Sequence, residues 1–390
     1  MLSLSASTVV HASGHGSPAL WDAVAQGQSG LRQNHLDWCD LPCWLGAVPG
    51  VDDARLPPSL TDWDCRNHRL AWLALQDATF RSAVALAVSR HGSHRVGLVL
   101  GTSTSGTRQT EIAYAQRQAS GQWPADFNYR RSHAVDSLCR FTAEVLKLQG
   151  PMSMVSTACS SSAKVFLMAQ RWIDAGLIDA AVVGGVDSLC LSTLHGFDSL
   201  QLLSTNICRP FDVARNGISI GEAAGFVLLD RSPASVYFAG GGESSDAWHM
   251  STPHPEGQGA QSAMIAALAA AQLEPSDMGY VNAHGTATPA NDRSEAAALI
   301  SVFGPHGVPV SSTKGITGHA LGAAGIVEAI VTAQALVHQV LPPAANLVVP
   351  DPLLALNLVL EATPASFRYA MSNNFGFGGS NCSLIFGKAD

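Results

Sequence analysis

Short β-branched runs alternate with longer Ala/Leu-rich stretches along the whole of this 390-residue chain. That alternation is the strongest constraint on its fold, because strands that take turns with helices pack as α/β layers around buried sheets. Strands are expected at Arg95–Leu100, Ala180–Val183 and Gly225–Leu229. Helices are expected at Leu70–Ser89, Ala163–Ala175, Gly259–Gln272 and Gly325–Gln339. With 47% hydrophobic and only 13% charged residues, such a chain builds a large core and keeps some apolar surface for a subunit interface. A seam at residues 231–242, where RSPAS gives way to YFAGGG, divides the chain into an N-terminal part, 1–235, and a C-terminal part, 236–390.

Several function classes drop out early. A net charge of −8 without a dense Lys/Arg block argues against nucleic-acid binding. The cysteines at 39, 43, 65, 139, 159, 190, 208 and 382 form no Cys-x-x-Cys, so zinc and dithiol redox readings are poor and reduced thiols are expected. The start, MLSLSASTVVHASGHG, carries no Lys or Arg and does not read as a signal peptide. No long uninterrupted apolar run marks a membrane span, so a cytoplasmic location is expected.

Chemistry concentrates at one cysteine. Pro151–Ala175 reads PMSMVSTACSSSAKVFLMAQRWIDA, an apolar β-prone start running through Ser156-Thr157-Ala158 into Cys159 and then a helical pattern. Cys159 therefore sits on a strand-to-helix turn, where the helix dipole and free N–H groups are expected to favour a thiolate and to hold an oxyanion. Most cysteines are buried structural residues, and Cys190, Cys208 and Cys382 are read that way. The turn sets Cys159 apart.

Two histidines lie in glycine-containing turns. In YVNAHGTATPANDRSEAAAL, a short strand ends at His284 and a helix opens near Asp292. In VSSTKGITGHALGAAGIVE, Lys314 precedes His319, which is flanked by small residues that permit close packing. Either histidine alone reads as a packed or surface residue. With Cys159 they form a constellation, although spacing alone does not bring them together in space. Near the end, MSNNFGFGGSNCSLIF mounts Phe375 and Phe377 on Gly376, Gly378 and Gly379. A gate with backbone oxyanion donors and a tight β-hairpin fit this segment equally well.

STACSSSA around Cys159, NAHGTATPANDRSE around His284, STKGITGHALGAAG around Lys314 and His319, and NNFGFGGSN follow in one order. Together they closely resemble the elongating β-ketoacyl-[acyl-carrier-protein] synthases of type II fatty acid and polyketide systems. Ile207–Asp230 and Ser17–Arg32 carry the resemblance further, over nearly the whole chain. It implies a thiolase fold, two similar α/β halves in a five-layer αβαβα stack, usually dimeric. It implies that Cys159 accepts an acyl chain from carrier-protein phosphopantetheine and that His284 and His319 stabilise the enolate formed as a malonyl extender loses CO2. Lys314 and Glu295 would be the pair that orients the site. The backbone N–H groups of Cys159 and Phe377 would form the oxyanion hole, Phe377 and Phe375 the gate, and Thr286 and Thr288 the pantetheine contacts. Arg66, Arg69, Arg130 and Arg131 would dock the acidic carrier. No metal and no organic cofactor is implied. The partners implied are acyl carrier protein and either a second copy or a ketosynthase-like subunit.

Departures from the family pattern point to a specialised polyketide or polyene pathway. The first strand is Ser/Ala-rich, Lys164 follows the nucleophile closely, Glu222-Ala223-Ala224-Gly225 replaces Glu-Gly-Ala-Gly, and Thr104 stands where the acyl-pocket lip is often apolar. The chief rival is a chain-length-factor-like binding subunit of a ketosynthase heterodimer, but those usually lack the nucleophilic cysteine. Thiolases carry a second catalytic cysteine for which Cys382 is badly placed. Initiating synthases have Asn where this chain has His319.

Overall fold

A computed structural model describes all 390 residues. The first half contributes β1 (Leu2–His11), β2 (Val96–Gly101), β3 (Met152–Val155), β4 (Ala180–Asp187) and β5 (Ala223–Asp230), paired in the order β1-β5-β4-β2-β3. The second half contributes β6 (Val236–Ser245), β7 (Met278–Asn282), β8 (Pro309–Ser311), β9 (Tyr369–Gly376) and β10 (Ser380–Lys388), in the order β6-β10-β9-β7-β8. In each half the first two pairings are antiparallel and the last two parallel. The second half thus repeats the first strand for strand. The two sheets join through β1 and β6 alone, at Leu2 opposite Phe238 and Ser3 opposite Tyr237.

Helices explain why the central strands read as continuous apolar runs. All eight residues of β4 and of β5 are buried, because both sheet faces are covered. α1 (Arg66–Ala74), α2 (Ala78–His91) and α3 (Ser137–Leu146) lie on the outer face of the first sheet. There Leu70, Phe80 and Phe141 meet Leu98, Leu100 and Val182. The alternate residues Val99 and Val183 point the other way, into a central layer made by α4 (Ser161–Asp174) and α7 (Ala324–His338). α5 (Gln258–Ala271) and α6 (Pro289–Phe303) cover the far face of the second sheet through Met264, Leu268 and Leu299. The result is the five-layer thiolase fold.

Most predicted elements lie within a residue or two of the observed ones. The expected helix Leu70–Ser89 is instead two helices, because Asp77 interrupts it and caps α2 by accepting the Phe80 N–H at 2.9 Å. The segment Leu321–His338 is long and apolar enough to cross a membrane, yet 83% of it is buried inside the protein, most of it as α7 between the two sheets. All eight cysteines are free.

Candidate active site

β3 ends at Val155, and the chain turns sharply before α4 begins at Ser161. Ala158 takes φ +51°, a left-handed conformation that costs a non-glycine residue about 1–3 kcal/mol. Ser161 secures the turn: its Oγ donates to the Ala158 carbonyl at 2.6 Å and accepts the Thr157 N–H at 2.9 Å. The strain presents Cys159, 5% exposed, at the head of α4.

The tip of the β9–β10 hairpin closes over this turn. A Cβ on Gly376 would lie 2.9 Å from the Thr157 carbonyl oxygen and 3.3 Å from the Cys159 nitrogen, so glycine alone allows the approach. Phe377 and Cys159 line the same pocket. The glycine segment is a hairpin, and its tip lines the pocket. Phe377 packs on Phe197 with ring centroids 5.3 Å apart, and Phe375 lies 5.8 Å from the His284 ring.

The second half supplies the imidazoles. His284 follows β7, and Glu295 of α6 accepts the N–H groups of His284 at 2.8 Å and Gly285 at 2.7 Å. Burial pushes the Glu295 carboxyl up to about 7. His319 is tied by its own N–H to the Ser219 carbonyl at 2.8 Å and by its carbonyl to the Gly221 N–H at 2.9 Å. Its Nε2 stands 3.0 Å from the Cys159 sulfur, and its ring is nearly perpendicular to that of His284, with centroids 5.3 Å apart.

The surroundings select the ring tautomers. The Leu321 N–H donates to His319 Nδ1 at 3.3 Å, and the Lys314 ammonium lies 3.3 Å from His284 Nδ1. Both Nδ1 atoms therefore accept, and both Nε2 atoms carry hydrogen into the pocket. Burial, followed by the Lys314 charge, holds both imidazoles far below the usual histidine range, so they are neutral donors at physiological pH. Burial also pushes the Cys159 thiol up to about 12, against the Lys314 charge and the Phe377 N–H. Desolvation in the closed pocket thus works against the thiolate expected from the helix terminus.

The orienting pair also needs correction. Lys314 pairs with Glu328 of α7, not with Glu295. Glu328 is in turn held by the Asn374 amide of β9. The signal was available in AGIVEAIVTAQALVH, where Glu328 is the one charge among apolar residues. Cys159, His284 and His319 present ligand atoms within 4.8 Å of one another, a spacing open to a metal. The buried Lys314 ammonium beside them opposes a second cation.

Thr286 and Thr288 line the pocket with their hydroxyls 3.0 Å apart, beside Leu202, Ile218 and Phe197. Cys382 is fully buried in β10 and outside the lining. Thr104 is outside that lining, and its hydroxyl donates to Asp187 and accepts the Ser188 N–H. Lys164 turns away to Glu243 at 3.5 Å, bridging α4 to β6. Arg66 is not a docking residue, because it is buried in a two-bond pair with Glu222 and a further pair with Asp52. Arg69 is held by both oxygens of Asp64. Arg130 and Arg131 share a surface hollow with Arg140 and Trp63.

A strained cysteine turn facing two neutral imidazole donors, on a doubled thiolase scaffold, defines a Cys-His-His acyl-transfer enzyme. Residues 66–234 match the family model for the β-ketoacyl synthase N-terminal domain, and residues 237–348 match that for its C-terminal domain. The 3-oxoacyl-[acyl-carrier-protein] synthase 2 of Vibrio cholerae serotype O1 is 34% identical over 396 residues, spanning 94% of each chain. Its namesake from Staphylococcus aureus strain COL is 34% identical over 320 residues, 78% of this chain and 77% of that one. Among solved structures, a ketosynthase in complex with its chain length factor from Xenorhabdus doucetiae is 39% identical with a TM-score of 0.90, covering 100% of this chain and 98% of that one. The ishigamide ketosynthase/chain length factor is 26% identical with the same TM-score, 0.90, covering 100% and 99%. The chain belongs to the β-ketoacyl synthase family and is an acyltransferase of the condensing class.

Proposed function

We propose that this protein is a β-ketoacyl-[acyl-carrier-protein] synthase that extends an acyl chain held on Cys159. The Cys159 sulfur attacks the thioester carbonyl of an acyl-phosphopantetheine, and the oxyanion sits between the N–H groups of Cys159 and Phe377. The pantetheine thiol leaves with the proton, and the chain remains as a thioester on Cys159. A malonyl thioester then enters along Thr286 and Thr288. Its carbonyl oxygen accepts the Nε2–H of both His284 and His319. As CO2 departs, the electron pair of the broken C–C bond becomes the enolate those donors stabilise. The enolate carbon attacks the Cys159 thioester, a C–C bond forms, the C–S bond breaks, the freed Cys159 sulfur takes up one proton from solvent, and a β-ketoacyl product leaves on the carrier.

The observation that carries this reading is the 3.0 Å approach of His319 Nε2 to the Cys159 sulfur, across the two halves. Intact mass after mixing with acyl-carrier protein tests it. Wild type should gain one acyl group and Cys159→Ala none, while His319→Ala should load and fail to condense. Absence of an adduct on wild type would favour the chain-length-factor-like role, with which an intact nucleophile turn fits poorly.

The carrier and a ketosynthase-like subunit are the partners this reading calls for. β3 is the free edge of the first sheet, and the helix Thr107–Ser120 buries only Ala113 while exposing Tyr114. Both features fit a subunit interface. Arg130, Arg131 and Arg140 fit an acidic carrier. A specialised polyketide pathway is supported by the ketosynthase–chain-length-factor likeness at 39% identity. An ordinary saturated-acyl profile in a chain-length assay would count against it. The division into halves at residue 235 belongs to the same proposal, supported by the strand pattern that restarts at Val236.

A further inference from the structure

We infer that Asp187, which closes β4, is the positioning residue that sets the ring tautomer of His319. Asp187 is fully buried and belongs to the half that carries Cys159. Its partners are all neutral donors. Oδ1 accepts the Thr102 hydroxyl at 2.6 Å, the Ser103 N–H at 2.8 Å, and the N–H and hydroxyl of Thr104, each at 2.9 Å. Oδ2 accepts the Ser103 hydroxyl and, at 2.6 Å, the N–H of Gly322. A buried carboxylate held by neutral donors keeps a strong demand for each of them, and charge-assisted bonds are about twice as strong as neutral ones.

The Gly322 contact is the one that reaches the chemistry. Gly322 comes from the other half, three residues after His319. A Cβ there would lie 2.7 Å from Asp187 Oδ2, so the turn presses directly on the carboxylate. Leu321, immediately before it, takes φ +53°, a left-handed conformation that a leucine adopts only under restraint. Holding the Gly322 N–H fixes the Leu321–Gly322 peptide and with it that conformation. In that conformation the Leu321 N–H meets His319 Nδ1 at 3.3 Å. Nδ1 must then accept, and Nε2 carries the hydrogen toward the Cys159 sulfur. Asp187 therefore acts through Gly322 and Leu321 on His319 and touches neither sulfur nor substrate. The same carboxylate gathers the Thr102–Thr104 loop, so the nucleophile half carries the anchor for the partner half's imidazole.

The test reads the ring nitrogens of His319 in protein labelled with 15N-histidine, the signal being assigned by its loss in His319→Gln. Wild type should show hydrogen on Nε2 only. Asp187→Asn should show both tautomers, with kcat down about 100-fold, the penalty typical of small misplacement, and KM unchanged. Thr102→Val removes a donor from the same carboxylate without touching Gly322, and should leave both ring signal and kcat as in wild type. An unchanged His319 signal in folded Asp187→Asn overturns the inference, as does a Thr102→Val signal that shifts like Asp187→Asn. Should Asp187→Asn fail to fold, Asp187→Glu carries the test, with mixed tautomers expected and an unchanged signal overturning it. Only the kinetic arm rests on the condensing-enzyme reading. The ring signal is read without substrate, so the two failures are distinguishable.

Discussion

The two halves repeat one strand pattern but carry different chemistry into the layer they share. α4, from the first half, buries Ser, Ala, Val, Phe, Leu and Ile and no charged residue. α7, its counterpart after β8, buries Glu328 against Lys314 at the back of the pocket. One half supplies a neutral nucleophile on a strained turn. The other supplies the charges and ring donors that make that position reactive. A duplicated scaffold thus brings two unlike environments face to face, each held by its own sheet, and a single pocket inherits both.

The largest expected effect is on the nucleophile side. Cys159→Ala should abolish acyl loading and condensation, measured by intact mass and turnover, while the fold persists. Residual loading would move the nucleophile elsewhere and break the division of labour. On the donor side, His284→Ala and His319→Ala should each lower condensation by about 10²–10³-fold, the cost of one preorganised oxyanion donor, while loading survives. If either variant loses loading as strongly as condensation, the halves are not separable in function.

Stability sharpens the same contrast. Glu328→Ala should destabilise the protein by about 3–5 kcal/mol in urea unfolding, because Lys314 is left buried and unpaired. Phe166→Ala in α4 should cost a similar amount, about 3–5 kcal/mol, by emptying a contact with Phe238 and Phe386 of the other half. The smallest effect concerns Glu295, whose carboxyl is raised to about 7. A raised folded-state value means the native protein binds this proton more tightly than the unfolded chain. Its stability term is therefore full at acid pH and fades as pH climbs through 7. Relative to Glu295→Gln, wild type should lose stability over that climb by at most about 1.4 kcal/mol per pH unit.

Much of this was legible in the sequence where the signal is local. Val155 running into Cys159 and Ser160–Ser162 marks a strand, a turn and a helix within eight residues, and the turn lies there. His284 and His319 were legible as turn residues, and their family pattern paired them with Cys159. What was illegible depends on burial and on distant contacts. Lys314 meets Glu328 only because α7 runs back under the pocket, and the family resemblance alone points to Glu295 instead. Arg66 reads as a surface charge until Glu222, well over a hundred residues away, is found beside it. The desolvation that opposes a thiolate was illegible for the same reason, since a helix start says nothing of how deeply it is enclosed.

The narrow junction between the sheets also bears on how the protein is made. β1 is synthesised well before its long partners: the contact of Ser5 with Asp230 spans 225 residues, and β1 meets β6 later still. At translation rates of about 5–20 residues per second, β1 waits roughly 10–45 s for β5, its first long ladder partner. During that wait most of its length has no ladder partner, and joining the sheets is a late, long-range event in folding.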